Sequence, residues 1–416
     1  MIGRRSGRAG RIGARREKMN NLLLTGATGF LGGAVLSRLI HSPLWPSVLL
    51  LVRAGSPAEG RERILASLRT FEISPALFSK VETRQIICGG LTDVAEFADD
   101  ARLAGVTHVI NCAALASFAN HPQIRPVNVD GTLEFARTMH ARARLQRFLH
   151  VGTGMACGMQ AASPVREDYV PGANVQHLVD YTASKLECER RLRAELPALP
   201  LVVARPSIIV GHSRLGCKPS PSIFWVFRFG TMLRNFTCGY DQQIDVVPAD
   251  YCADAILALL HKPQLAHSQY HISAGPLRSS TFGELDHALA AISGSSHQGA
   301  YRQVDFATLA AMQDRFETLF GAGNERMLLR AIRLYGEFAA LGMTFENSRL
   351  LGEGIPPPPA FADYIGLCGA TTANMSIYEQ MKYDFKGAGT ARRADPARPQ
   401  MPAQWTGPAA SIALPV

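Results

Sequence analysis

Nowhere in this 416-residue chain is there a run of about 18 apolar residues, so no membrane-spanning helix is expected. Its eight cysteines are scattered, with no CxxC pair and no metal-ligand rhythm. That pattern excludes a disulfide scaffold and a structural metal centre, and it fits reduced thiols in a cytoplasmic compartment. No internal repeat is visible. What remains is 47% hydrophobic and 19% charged, an ordinary balance for a globular enzyme. At roughly 100–200 residues per domain, one large domain with a smaller companion is expected.

The formal charge of +9 is unevenly placed. The first eighteen residues carry six arginines and one lysine against the single Glu17. Such an arm can touch nucleic acid or an anionic membrane surface. The plainer expectation is a disordered extension over 1–19, or an early start codon, since Met19 directly precedes the first strand. The arm lacks the apolar core of a secretory signal. Nucleic acid is therefore not expected as a partner, and any membrane contact would be peripheral. The number of subunits is not readable.

Asn20–Thr25 reads as a short buried strand, followed by a glycine-rich turn and a helix over about Phe30–His41. Further strands are expected at Val48–Val52, Arg84–Cys88, His108–Asn111, Arg147–Val151, Leu201–Ala204 and Gln269–Ser273. Helices fill about Pro57–Phe71, Val127–Arg144, Tyr181–Leu196 and Pro248–His261. The second of these sets Ile64, Leu65, Leu68 and Phe71 at helical spacing. Strands alternating with helices predict an α/β fold with a parallel, doubly wound sheet covered on both faces. After about Pro206 the alternation weakens, and 281–345 reads as largely helical. Four prolines at 356–359 interrupt any regular element, and the Ala/Pro/Arg-rich end from 387 reads as disordered. The expected division is a dinucleotide domain over 20–275, with substrate contacts from about 207–240. A mainly helical substrate-side region follows over 276–386, then a tail over 387–416.

The turn Thr25-Gly26-Ala27-Thr28-Gly29-Phe30-Leu31-Gly32 places glycines at i, i+3 and i+6 between strand and helix. Glycine allows the tight turn and lets backbone N–H groups approach a pyrophosphate, while the helix N-terminus adds partial positive charge. A glycine triplet alone is weak evidence, but its position after the first strand of an alternating pattern strengthens it. The end of the second strand decides which dinucleotide binds. An acid there would hold a ribose 2′-hydroxyl, whereas this strand ends Leu51-Val52-Arg53. A guanidinium can pair with a 2′-phosphate that a carboxylate would repel, so NADP(H) is the expected cofactor. Arg63, on the next helix, is either a second phosphate ligand or part of a solvated face. Ala113, after the fourth strand, completes this part of the cofactor-binding set.

Tyr181-Thr182-Ala183-Ser184-Lys185 puts a phenol and an ammonium at i and i+4 on one helical face. A phenol with pKa near ~10 is a poor acid–base group at neutral pH. A neighbouring ammonium, together with an oxidised nicotinamide, favours the phenolate and is expected to lower that pKa. Upstream, Thr153 ends a strand in a small-residue loop, where its hydroxyl can polarise a substrate carbonyl or merely cap the turn.

Taken together, TGATGFLG at 25–32, NVDGT at 128–132, the Thr153 loop, YTASK at 181–185 and ARPSIIVG at 204–211 resemble the extended branch of the short-chain dehydrogenase/reductase superfamily. The resemblance covers about 20–275. It implies a Rossmann-type domain, Thr153 as the carbonyl-binding hydroxyl, Tyr181 as proton donor and Lys185 as its activator and ribose ligand. It also implies that Pro206, Ser207 and Ile208 line the nicotinamide. More narrowly, residues 49–64, 117–132, 246–256 and 344–351 are similar to the fatty acyl-CoA reductase and thioester reductase group. That likeness implies reduction of an acyl-CoA or acyl-carrier-protein thioester to aldehyde or alcohol. Two positions depart from the pattern. Gly90 stands where an aspartate near adenine is usual, and Gly154 follows Thr153 where alanine or a larger residue is common.

The aromatic stretch Phe224, Trp225, Phe227, Phe229 and Phe236 reads equally as an acyl pocket or membrane-touching lid and as ordinary core. Cys157 is expected to be a packed residue rather than a reactive thiol, and His212 and His271 to be structural. Other functions stay open on the same scaffold. One is an epimerase, dehydratase or hydroxysteroid dehydrogenase, which the missing acid at 53 disfavours. Another is a non-catalytic NADP-binding protein, which the retained tyrosine and lysine disfavour.

Overall fold

The structure, a computed structural model, describes residues 21–118, 121–221, 223–293 and 299–386. The basic arm, the tail, Asn20 and Ser222 lie outside the described residues. Seven strands form one sheet: β1 (Asn21–Thr25), β2 (Val48–Val52), β3 (Ile86–Cys88), β4 (Val106–Asn111), β5 (Arg147–Val151), β6 (Leu201–Pro206) and β7 (Gln269–Ile272). Their order is β7-β6-β5-β4-β1-β2-β3, every pair parallel. The strand sequences are apolar almost without interruption because both faces are covered.

One face packs on α1 (Phe30–Leu39), α2 (Pro57–Thr70) and α6 (Ala249–His261), which contribute Val35, Leu36, Ile64, Leu68, Ile256 and Leu259 to a single buried cluster. The other packs on α3 (Thr132–Arg142) and α4 (Asp180–Glu195) through Leu133, Phe135, Cys188 and Leu192. The helix expected from Val127 starts differently: Pro126–Gly131 is a turn of π-helix before α3. At Gly131 a Cβ would lie 2.5 Å from the carbonyl oxygen of Leu91, so a glycine there lets the wide turn close on its neighbour. The third strand is also shorter than expected, since Arg84 belongs to a 3₁₀ turn.

The order of strands reverses between β1 and β4, which opens a crevice at their carboxyl ends where ligands bind in such sheets. Beyond β6 the chain forms a second core around Phe224, Trp225 and Phe229 of α5 (Phe224–Leu233). Helices Phe282–Ser293, Glu325–Ala340, Phe361–Thr371 and Ile377–Lys386 surround it. The aromatic stretch at 224–236 is thus core: Phe224, Trp225 and Phe229 are fully buried, and Phe227 and Phe236 nearly so. Among the described residues no helix is long and apolar enough to cross a membrane.

Candidate active site

The glycine turn sits at the reversal. Gly26 has φ +71°, and a Cβ there would meet the Ala113 backbone nitrogen at 2.7 Å, so the β1 turn lies directly against the segment leaving β4. Gly32 is tighter still, its absent Cβ falling 2.1 Å from the Gly26 carbonyl oxygen. Gly29 N donates to that same oxygen at 2.9 Å. The first turn of α1 carries no acidic residue, and Gly29 supplies no side-chain cap. Uncapped N–H groups and the helix dipole therefore face the crevice, an arrangement suited to a pyrophosphate. Thr25 fastens the two switch-point strands: its Oγ1 donates to Asn111 Oδ1 at 2.6 Å and accepts from Ala113 N at 3.1 Å. Thr28 and Leu31 lie in the same turn and first helical positions, alongside Phe30.

Arg53 follows β2 and is exposed. Its aliphatic stem crosses Gly90, whose Cβ would lie 3.1 Å from Arg53 Cγ. The departure at Gly90 thereby makes room for the arginine. Arg63 donates to the Arg53 backbone carbonyl, so at least one of its nitrogens holds the strand end. Ser56 caps α2, accepting from Glu59 N at 3.2 Å, and the positive end of that helix also points toward the turn after β2.

Across the crevice, Lys185 is buried and donates from Nζ to the Val151 carbonyl at 2.8 Å. Burial lowers its pKa, partly offset by the acidic Glu189 one turn on. Tyr181, one turn earlier, is half-buried, and burial pushes its phenol up to about 12. In this structure desolvation of the phenolate is the cause of that shift, and the Lys185 ammonium is turned to Val151. Thr153 caps the 3₁₀ turn Gly154–Cys157, its Oγ1 accepting from Met155 N at 3.3 Å. Capping uses an oxygen lone pair and leaves the hydroxyl proton free to donate, so the cap is compatible with the expected carbonyl-binding role. A Cβ on Gly154 would lie 2.9 Å from the Phe345 ring, whose aromatic edge occupies the space a larger residue would need.

Several contributors were given no role by the sequence reading. Asn128, in the π turn, accepts from Leu115 N at 2.7 Å, donates to Leu115 O at 3.1 Å and donates to Ser184 Oγ at 3.0 Å. It ties the loop after β4 to α4. Below Lys185, Glu189 and Arg205 form a buried ion pair, Nε to Oε2 3.0 Å. It fits because position 152 is glycine, where a Cβ would strike Glu189 at 2.2 Å. On the far wall Ser207 lies beside the buried carboxylate of Asp245. That carboxylate also accepts from Ala274 N at 2.8 Å, Phe345 N at 3.0 Å and Gly275 N at 3.3 Å. Pro206 ends β6, and Ile208 pairs with Val246 in a short parallel ladder.

Cys157, His271 and His212, expected to be packed or structural, are all buried. Cys157 is buried and its thiol pushed up to about 11 by desolvation. His271 is buried, its Nδ1 within 2.9 Å of the Glu346 carbonyl, and pushed down to about 3. His212 accepts from Arg214 N at 3.1 Å. No cluster of metal-ligating side chains occurs among the described residues.

A family profile described as male sterility protein, an NAD-binding type, matches residues 24–256. A non-canonical nonribosomal peptide synthetase, FrzA, of Cladobotryum is 28% identical over 299 residues, covering 67% of this chain and 28% of that one. Fatty acyl-CoA reductase 1 of Xenopus laevis is 24% identical over 288 residues, covering 57% of this chain and 54% of the relative. Both curated relatives are thus matched over little more than half their length at most. The terminal R domain of the myxalamid PKS-NRPS pathway shares the fold, with TM-score 0.68 at 22% identity over 85% of this chain and 91% of that one.

Proposed function

Because the chain belongs to the male sterility-type NAD-binding family, an oxidoreductase family on the extended short-chain dehydrogenase/reductase scaffold, we propose that it reduces an acyl thioester, carried on coenzyme A or a carrier protein, with NADPH. The observation that carries this reading is the buried Lys185, held on Val151 O one helical turn from the half-buried Tyr181. The glycine turn at 26–32 with Ala113 would hold the pyrophosphate, and Arg53 the 2′-phosphate, with Arg63 bracing the strand end. Pro206, Ser207 and Ile208 would line the nicotinamide. Such a dinucleotide supplies two electrons and a hydrogen to the thioester carbonyl carbon.

Thr153 Oγ donates a hydrogen bond to the carbonyl oxygen and polarises it. Tyr181 gives its proton to that oxygen as charge develops there. Lys185 stabilises the resulting phenolate until solvent returns the proton. The product at carbon is a hemithioacetal. Breaking its C–S bond releases a free thiol and an aldehyde, and a second turnover would give the alcohol. In this reading residues 20–275 hold the dinucleotide and 276–386 close the substrate side. The eight free thiols suit a reducing cytoplasm.

The test is to incubate the purified chain with NADPH and a long-chain acyl-CoA. Loss of reduced-nicotinamide absorbance with matching release of thiol is expected. Absence of thiol release with CoA-bound and carrier-bound acyl groups of every length overturns the proposal.

A further inference from the structure

The aromatic residues of α5 are sealed in the second core, so they offer no surface to a substrate. The rings that do remain half-uncovered near Tyr181 belong to other segments. Phe118 ends the loop that Asn128 fastens after β4, and its ring centroid lies 6.3 Å from that of Tyr181. It stacks on Phe338 of helix Glu325–Ala340 at 5.0 Å, the ring planes 18° apart. Both phenylalanines are half-buried.

The backing of this pair is fixed. Tyr335, one turn before Phe338, meets Phe118 at 5.2 Å and Trp225 edge-on at 5.5 Å. Its phenol donates to Asp384 Oδ2 at 2.5 Å, and the Trp225 indole donates to the same oxygen at 3.2 Å. A half-buried carboxylate holding two aromatic donors leaves little freedom to the rings packed on them. The result is a half-buried, apolar aromatic pair on a fixed backing beside Tyr181.

We propose that Phe118 and Phe338 are the wall along which an extended apolar acyl group lies while its carbonyl meets Tyr181, and that this pair sets the preference for long over short acyl thioesters. The inference rests on the reductase reading above. A stacked pair presents a face rather than a closed hole, so it rewards apolar length more than a particular shape. Each methylene laid on it is worth up to roughly four-fold in affinity.

The test compares kcat and KM for acetyl-CoA and dodecanoyl-CoA in the full chain and in Phe118→Ala, Phe338→Ala and Phe118→Leu, with NADPH affinity titrated by fluorescence in each. Either alanine variant is expected to raise KM for the dodecanoyl substrate on the order of ten-fold. The acetyl substrate and NADPH affinity should change far less, and Phe118→Leu should restore most of the loss. An unchanged ratio of dodecanoyl to acetyl turnover, with both substrates reduced by the wild type, overturns the wall and leaves the reductase reading standing. A wild type that releases thiol from neither substrate removes that reading and the wall with it. If Phe118→Ala does not bind NADPH, Phe338→Ala, on a separate helix, decides.

Discussion

The sheet half and the helical half of this molecule build their surfaces in opposite ways. The proposed dinucleotide cradle is eight consecutive residues, 25–32, where Gly26 and Gly32 let backbone meet backbone at distances no side chain tolerates. The aromatic face near Tyr181 joins Phe118, the pair Tyr335 and Phe338 of one helix, and Asp384, three segments brought together only by tertiary packing. Recognition of a constant ligand can be written into local backbone geometry, whereas recognition of a variable one is spread over side chains that can be exchanged singly.

The sharpest way to break this contrast is Tyr181→Phe. Removing the proton donor is expected to lower kcat on the order of 1,000-fold while NADPH binding, followed by fluorescence, stays as in the wild type. A parallel loss of binding would show that the phenol belongs to the cradle instead.

Asp245 joins the two halves through the turn after β7, the Ser207 segment and Phe345, and burial raises its carboxyl to about 6 from 3.8. Between those values the folded chain binds the proton that the unfolded chain has released. Stability from this group is therefore present below about pH 4 and is lost as pH rises through about 6. The shift corresponds to about 3 kcal/mol at most. Thermal unfolding across this range should show the decline in the wild type and none in the matching difference for Asp245→Asn. The variant should be less stable at low pH, because an amide cannot accept from all three backbone N–H groups. Parallel pH curves for the two proteins would refute this role.

Gly32→Ala places a methyl group against the Gly26 carbonyl and is expected to weaken NADPH binding about 100-fold, roughly 2.7 kcal/mol. A methyl group added at Gly352 instead meets no atom within 4 Å and should leave binding untouched. The smallest effect is expected at Arg53. Its replacement by alanine should cut the preference for NADPH over NADH about ten-fold, the worth of one charge-assisted hydrogen bond. Titrating both dinucleotides checks it, and an unchanged preference would assign the 2′-phosphate to other groups.

All seven strands of the sheet were legible because buried parallel strands read as apolar runs between turn signals, and the helices of that half followed from their period. The π turn at 126–131 was not, since a single extra residue per turn leaves no mark on hydrophobic spacing. The glycines of the turn were legible, and Thr25 and Asn128 stood inside motifs, but what they fasten was not, since their partners lie up to 88 residues away. The raised phenol of Tyr181 depends on how deeply α4 is covered, which spacing does not report. The aromatic run at 224–236 looked the same whether it lined a pocket or filled a core. Only the burial of Trp225 beneath Tyr335 and Asp384 separates the two.

The segment 344–351 returns from the helices to the sheet and is sewn there stitch by stitch. Phe345 bridges Val165, Ser273 Oγ donates to its carbonyl at 2.9 Å, and Asn347 donates to Ser273 O at 2.9 Å. The buried carboxylate of Glu167 accepts from Arg349 N at 2.6 Å and from His271 N at 2.9 Å. The excursion from 282 to 340 is consequently moored at both ends, like a handle rather than a flap. A protease cut inside the handle would therefore leave its sheet-side stump attached.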